Sequence, residues 1–419
     1  MLINAPRGTK DILPNQIYKW QYVEGVFKDI CLKYGFDEIR TPTFEHTDLF
    51  KRGVGDTTDI VEKQMYSFDD YGGRNLTLKP EGTAPVVRAY IENKLYSEIQ
   101  PAKYFYIIPC FRYEKPQAGR FREFHQFGIE IFGSDNMMAD AEVIGLAIDF
   151  LGKLSIDCLE LHINSIGCPN CREVYRSVLK DFLKDKYKDL CDTCKTRYER
   201  NPMRILDCKS EICQELVVGA PKMLDYICED CSLAFEALKK NLQAMGIEYI
   251  VDSGIVRGLD YYTKTAFEII AKNIGAQGTV CGGGRYDNLI EQIGGPATPG
   301  VGFGMGIERL LLVMEHSNIT IPKDDEIDVF LAVIGDKAQC FGMNLMRQLR
   351  KIGFRAQMDL KSRTIKNQFK YADRLNTKYT IIIGDNELEH QAVIIKDMKT
   401  AEQKQIAISD IIQTLKQLI

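Results

Sequence analysis

Residues 103–132, KYFYIIPCFRYEKPQAGRFREFHQFGIEIF, constrain the fold more than any other stretch, because they read as two β-strands joined by a charged loop. Alternate positions of a strand share a face. On the second strand Phe124, Gln126, Gly128, Glu130 and Phe132 therefore point one way, while Phe127, Ile129 and Ile131 point the other. The apolar set is a core face. The other set places a carboxylate, an amide and a glycine on a sheet interior, where an unpaired buried carboxylate is costly. This face is expected to be a site at which Gly128 leaves room for a ligand and Glu130 meets a cation. On the first strand Cys110, Arg112 and Glu114 share a face by the same rule. A lone amphipathic strand is more often simply solvated on its polar side, but the aromatics and glycine among these polar groups weigh against that.

With 419 residues the chain is long enough for two or three domains with cores of their own. Its 45% hydrophobic and 27% charged residues are those of an ordinary soluble globular protein. No early apolar run follows a basic start, and no apolar segment approaches the roughly 18 residues that span a bilayer. A cytoplasmic protein without a membrane partner is expected. A formal net charge of -4 gives no global pull toward nucleic acid, although local basic patches would suffice for binding.

Eight of the thirteen cysteines form pairs between positions 168 and 231: Cys168/Cys171, Cys191/Cys194, Cys208/Cys213 and Cys228/Cys231. In a reducing compartment C-x-x-C pairs argue for zinc rather than disulfides. One or two structural zinc sites are expected, the alternative being a set of small buried thiols.

Along the chain, a polar arm (PRGTKDILP) leads into an amphipathic helix over about 15–34, ended by Gly35. A strand interrupted at Pro42 belongs at an edge or interface. A loop over 52–56 and two strands, MYSFDD and NLTLKP, precede Lys79-Pro80-Glu81-Gly82-Thr83 and a helix over 84–94. That turn either presents groups to a ligand or caps the helix, with Thr83 as the cap and Glu81 near its positive end. A helix over 139–153 and a strand over 158–163 follow. Residues 169–246 read as a helical, cysteine-rich insertion whose lysines (Lys180, Lys184, Lys186, Lys188, Lys195) could serve an RNA backbone, solvated helix faces being the plainer reading. The chain returns to sheet at 255–271, runs through Gly282, Gly283 and Gly284 with Arg285 to Asp287 entering a helix, and reaches a strand with glycine at 300, 302, 304 and 306. Glycine at every second position strips one face of a strand. It differs from the dinucleotide fingerprint and would either let a flat ring lie there with Arg309 across it or serve close strand-to-helix packing. Beyond residue 326, strands and helices alternate as in a small, mostly parallel α/β domain, closed by a helix over 406–419.

Together these segments resemble the class II aminoacyl-tRNA synthetases, and within them the histidyl-tRNA synthetases. The long helix and Pro42 are similar to motif 1, FRYEKPQAGRFREFHQFGIE to motif 2 and GVGFGMGIERLLL to motif 3; VRGLDYY (256–262) and GGGRYD (282–287) are similar to the two histidine-specific segments. The resemblance implies an antiparallel catalytic sheet flanked by helices over 1–325, an insertion at about 169–246, and an α/β anticodon-binding domain over 326–419. It implies a homodimer whose substrates are L-histidine, ATP with Mg²⁺, and tRNA(His). Glu81, Gly82, Thr83, Gln126, Glu130, Tyr261 and Tyr262 would form the histidine pocket, with Glu130 on the α-ammonium and Glu81 and Tyr262 on the imidazole. Arg112 and Arg257, the catalytic pair, would grip the α-phosphate, Arg257 bordering the histidine as well. Glu114, Arg120, Phe124 and Arg309 would hold the rest of ATP, with Phe124 and Arg309 on opposite faces of adenine. Two positions depart from the family pattern: Lys79, where arginine is usual, and Gln64, where glutamate is common. The rival reading is a synthetase-like regulatory subunit of histidine biosynthesis, which lacks the C-terminal domain and the full arginine and tyrosine set.

Overall fold

The structure, a computed structural model, describes residues 3–55, 58–255, 257–272, 278–323 and 326–419. The chain divides into two compact units, Met1–Pro322 and Lys323–Ile419. The first is built on an eight-stranded sheet. In spatial order its strands are Asp37–Glu38, Ala102–Phe111, Glu123–Phe132, Gly300–Gly306, Thr279–Arg285, Thr263–Ala271, Leu159–Ser165 and Ile250–Val251. The outermost pairing on each side is parallel, and every pairing between them is antiparallel.

The strand pair expected at 103–132 lies within this sheet, with Tyr106 opposite Gly128 and Ile108 opposite Gln126. Phe127, Ile129 and Ile131 are buried in the main core, which the Ile17–Lys33 and Met137–Lys153 helices cover. Phe27 of the first helix stacks on Phe127 with ring centroids 4.5 Å apart. Burial of each such side chain contributes about 1.5–3 kcal/mol, so this face cannot turn over without loss of the core. The strand ends at Phe111, which leaves Arg112 and Glu114 just beyond its end rather than on its face.

Pro42 separates two short strands that go to different sheets. Asp37–Glu38 edges the large sheet, and Phe44–His46 edges a three-stranded sheet with Asn75–Leu78 and Tyr66–Asp69. Proline cannot donate to a ladder.

Several expectations are corrected. Positions 52–54, read as loop, complete the Thr47–Val54 helix, because Leu49, Phe50 and Val54 all bury on one side of it; Asp56 lies outside the described residues. Arg285 ends a strand instead of entering a helix, which starts only at Leu289. Its side chain is fully buried and pairs with Asp140 and Asp287, since a buried guanidinium needs such partners. The closing helix is Ile411–Leu418, and Gln403–Ala407 before it forms an exposed edge strand paired with Ala392–Asp397.

In the second unit the strands run in the order Ala356–Met358, Ile327–Ile334, Thr377–Gly384, Ala392–Asp397, Gln403–Ala407. The first three are parallel and the last two antiparallel. Among the described residues, no helix is long and apolar enough to cross a membrane.

Candidate active site

One row of residues runs straight across five strands of the large sheet. Tyr106 faces Gly128, Gly128 faces Gly304, Gly304 faces Gly282, and Gly282 faces Glu268. Directly opposed residues project from the same face, so three adjacent glycines leave a trough bounded by a phenol and a carboxylate. The trough is not simply open to a ligand. A Cβ on Gly128 would strike the Tyr106 ring, one on Gly304 would strike the Gln126 amide, and one on Gly282 would strike the Arg257 guanidinium. One step along the strands, a Cβ on Gly302 would strike Glu130. The glycines thus house site side chains, and the flat bare face expected on Gly300–Gly306 is filled by Glu130 and Gln126 from the neighbouring strand.

Above the trough lies a pocket whose wall brings together Glu81, Thr83, Arg112, Glu114, Arg120, Phe124, Gln126, Arg257, Tyr261, Tyr262 and Arg309. These are all of the sequence-predicted site residues except Gly82 and Glu130, which lie behind the wall. Gly82 is buried against the Tyr106 ring. Val256 of the VRGLDYY segment lies outside the described residues.

Glu130 is fully buried, and its carboxylate accepts from Thr83 Oγ1 at 2.8 Å, Tyr106 Oη at 3.0 Å and the Tyr286 hydroxyl. Burial pushes its carboxyl up to about 8, although the three hydroxyls partly offset this. Among the described residues its hydroxyl donors are all neutral, and an incoming positive charge would favour the ionised carboxylate. Glu81 accepts from the backbone N-H groups of Thr83 and Ala84, both at 2.8 Å, and thereby caps the Thr83–Glu92 helix. The cap is Glu81 rather than Thr83, whose hydroxyl is committed to Glu130. Burial raises the Glu81 carboxyl as well.

Four arginines stand in the wall with three acids, Glu81, Glu114 and Glu308. Arg257 Nη1 lies 2.6 Å from Glu268 Oε1, and its guanidinium sits over the Tyr262 ring at 5.4 Å. Arg112 donates Nε to the Pro80 carbonyl at 2.8 Å and stacks over Phe124 at 5.2 Å. Glu114 lies between Arg112 and Arg120, at 4.0 and 3.3 Å. Arg309 donates to the Thr279 carbonyl at 2.9 Å. Such an array suits a polyanion with an attached ring. Lys79 faces away from it: its buried ammonium donates to the Thr41 carbonyl at 3.1 Å, and burial lowers its pKa. Gln64 ends a short π-helical turn, and its carbonyl accepts from Tyr113 N at 2.7 Å.

Sequence reasoning missed Glu268, Tyr106 and Tyr286. Glu268 is a lone acid within TKTAFEIIA, a signal that could have been found. The two tyrosines gave none, because their value lies in where they meet Glu130.

The eight cysteines gather into two groups, Cys168 with Cys171, Cys228 and Cys231, and Cys191 with Cys194, Cys208 and Cys213. None of the thirteen cysteines forms a disulfide.

A mostly antiparallel sheet carrying an arginine-walled pocket, with an appended α/β unit, has the form of a class II aminoacyl-tRNA synthetase. Comparison with known proteins makes this specific. Residues 8–197 and 211–310 match the family described as histidyl-tRNA synthetase, and residues 328–418 match an anticodon binding domain. The chain is 59% identical over 416 residues to the histidine–tRNA ligase of Caldanaerobacter subterraneus subsp. tengcongensis, covering 99% of this chain and 100% of that one. It is 54% identical over 418 residues to the histidine–tRNA ligase of Clostridioides difficile, covering 100% of both. The crystal structure of apo S. aureus histidyl-tRNA synthetase superimposes with a TM-score of 0.85 at 39% identity, over 99% of this chain and 100% of that one. The chain belongs to the histidyl-tRNA synthetase family and is an aminoacyl-tRNA synthetase.

Proposed function

We propose that this pocket joins histidine to ATP and then to tRNA(His). A histidine carboxylate oxygen attacks the α-phosphorus, the bond to the bridging oxygen breaks, and pyrophosphate leaves. A ribose hydroxyl at the tRNA 3′ end then attacks the adenylate carbonyl and AMP leaves. The first step develops negative charge on phosphoryl oxygens, so fixed cations and positioning do most of the work. Arg112 and Arg257 take that role, with Mg²⁺ entering on the ATP phosphates.

The observation that carries the reading is Glu130: a fully buried carboxylate held by three hydroxyls beside the pocket, which favours an incoming ammonium. Glu81 and Tyr262 then address the imidazole, with Gly82, Thr83, Gln126 and Tyr261 completing the histidine pocket. A site built to hydrogen-bond a ring rejects analogues that lack those groups. Glu114, Arg120, Phe124 and Arg309 hold ATP, with adenine between Phe124 and Arg309. The motif 2 loop, a tight turn in which Gln117 and Arg120 exchange backbone hydrogen bonds, offers Lys115, Gln117, Arg120 and Arg122 to the tRNA acceptor end. The second unit reads unstacked anticodon bases, and the chain works as a cytoplasmic homodimer. The match to an anticodon binding domain and the presence of every expected arginine and tyrosine support a ligase over a regulatory subunit.

Histidine-dependent exchange of labelled pyrophosphate into ATP, followed by charging of tRNA(His), tests the reading. Its absence in protein that binds ATP would overturn it.

A further inference from the structure

The inserted segment has its own small core, in which Cys171, Cys194, Cys208, Cys213 and Cys231 are buried beside Tyr175, Leu179, Leu183, Met203 and Ile205. Below roughly 70–80 residues a core of this kind is usually reinforced by a metal or by disulfides. The Cys168 and Cys171 sulfurs lie 3.4 Å apart, too far for a bond, and none of these cysteines forms a disulfide. Four thiolates on one tetrahedral ion at about 2.3 Å stand about 3.8 Å from each other. Here Cys168 and Cys228 are 4.0 Å apart, Cys171 and Cys231 4.0 Å, and Cys191 and Cys208 3.9 Å. Within each group the four sulfurs all lie within 4.8 Å of one another. A four-iron cluster spreads its thiolates wider than a single ion does. Backbone N-H groups also aim at the sulfurs, Cys228 N at Cys171 Sγ (3.0 Å) and Cys191 N at Cys213 Sγ (3.4 Å), which is how metal-bound thiolates are commonly supported.

The groups are nested, with the inner four enclosed in sequence by the outer pairs, and each borders a residue that grips the 257–262 turn. Arg172, next to Cys171, donates to the carbonyls of Asp260 (3.2 Å) and Tyr262 (3.1 Å). Between Cys194 and Cys208, Asn201 Nδ2 donates to Asp260 Oδ1 at 3.0 Å and Arg204 donates to the Gly258 carbonyl.

We propose that the insertion holds two structural zinc ions, one on Cys168, Cys171, Cys228 and Cys231 and the other on Cys191, Cys194, Cys208 and Cys213, and that these sites brace the turn carrying Arg257, Tyr261 and Tyr262. The thiols lose their protons on binding, and no redox step is involved. The bracing role rests on the histidine-pocket reading; the metal sites do not.

Metal analysis of the full chain, purified reduced and without chelator, is expected to give two zinc ions. Cys171→Ser and Cys231→Ser should each leave one ion, and the double C171S/C231S should still leave one, whereas C171S/C213S should leave none. Pairing by sequence neighbours would instead leave C171S/C231S with none and overturns the nested assignment. Should a variant misfold, cobalt exchanged into the wild-type protein must show the intense visible absorption of a tetrahedral thiolate site. Less than one metal per chain, iron in place of zinc, or disulfides in non-reducing mass spectrometry overturns the metal sites. In folded C208S/C213S protein the KM for histidine should rise about tenfold, and kcat should fall as well because Arg257 rides on the same turn. An unchanged histidine KM after loss of the inner ion removes the bracing role. A wild-type protein with two zinc ions but no histidine-dependent exchange would count against the ligase reading alone.

Discussion

Arg257 reaches Glu268 across the bare position of Gly282, with Nη1 and Oε1 2.6 Å apart and the guanidinium only 2.5 Å from where a Cβ at that glycine would fall. The glycine is therefore part of the arginine's seat, and the carboxylate fixes the direction in which the arginine points.

Gly282→Ala is expected to push the arginine aside with little effect on the fold, because the far end of a flexible side chain can swing away. Histidine-dependent pyrophosphate exchange should fall about 10²-fold, equivalent to about 2.7 kcal/mol of transition-state stabilisation, while the melting temperature moves by no more than about 3 °C. Wild-type exchange in this variant would show that Arg257 does not need its place over Gly282.

Gly128→Ala should behave in the opposite way. The group it meets is the Tyr106 ring, which is buried and also covers Gly82, so it has no room to move. Overpacking of this kind costs about 1–3 kcal/mol, and a urea titration should register it as a lowered midpoint. A midpoint equal to wild type would mean that the Tyr106 ring shifts freely.

Glu130 should make stability depend on pH in a defined window. Its folded pKa of about 8 lies above the ordinary value of 4.5, so the folded state keeps a proton that the unfolded state gives up. Its contribution is complete below about 4.5 and is lost as pH rises through about 8. Urea midpoints measured between pH 5 and 8 should fall less steeply in Glu130→Gln than in wild type. If an ammonium binds there, histidine binding near pH 7 should also release a proton, seen by calorimetry in buffers of different ionisation enthalpy; no release would argue against that contact.

Asp140→Asn strands Arg285, whose side chain and partner are both fully buried. Breaking such a pair costs about 3–5 kcal/mol. Chemical denaturation should show that loss, with the histidine KM of the remaining folded protein within about twofold of wild type. A loss below about 1 kcal/mol would indicate that Asp287 alone satisfies the arginine.

The two faces of the Glu123–Phe132 strand were legible because a two-residue repeat sorts side chains wherever the strand is placed, and Phe127, Ile129 and Ile131 are indeed core. The order of the motifs was likewise enough to indicate the family. Local rules failed at ends and joins. Arg285 reads as a helix entry until a buried partner is found for it, and Ile406 and Ala407 read as the start of the closing helix until the neighbouring strand claims them.

The chain by itself determined which residues carry charge, which carry rings and where side chains are missing, since composition and alternation are properties of one segment. Only the tertiary structure decided what fills each gap. The glycines at 128, 302 and 304 read as space for a ligand, but side chains of other segments occupy that space, Tyr106, Glu130 and Gln126, as Arg257 does over Gly282. The reason is register: placing Tyr106, Gly128, Gly304, Gly282 and Glu268 in one row depends on how five strands are laid side by side. The same holds for the cysteines, where spacing gave the pairs and folding alone joined Cys168 and Cys171 to Cys228 and Cys231.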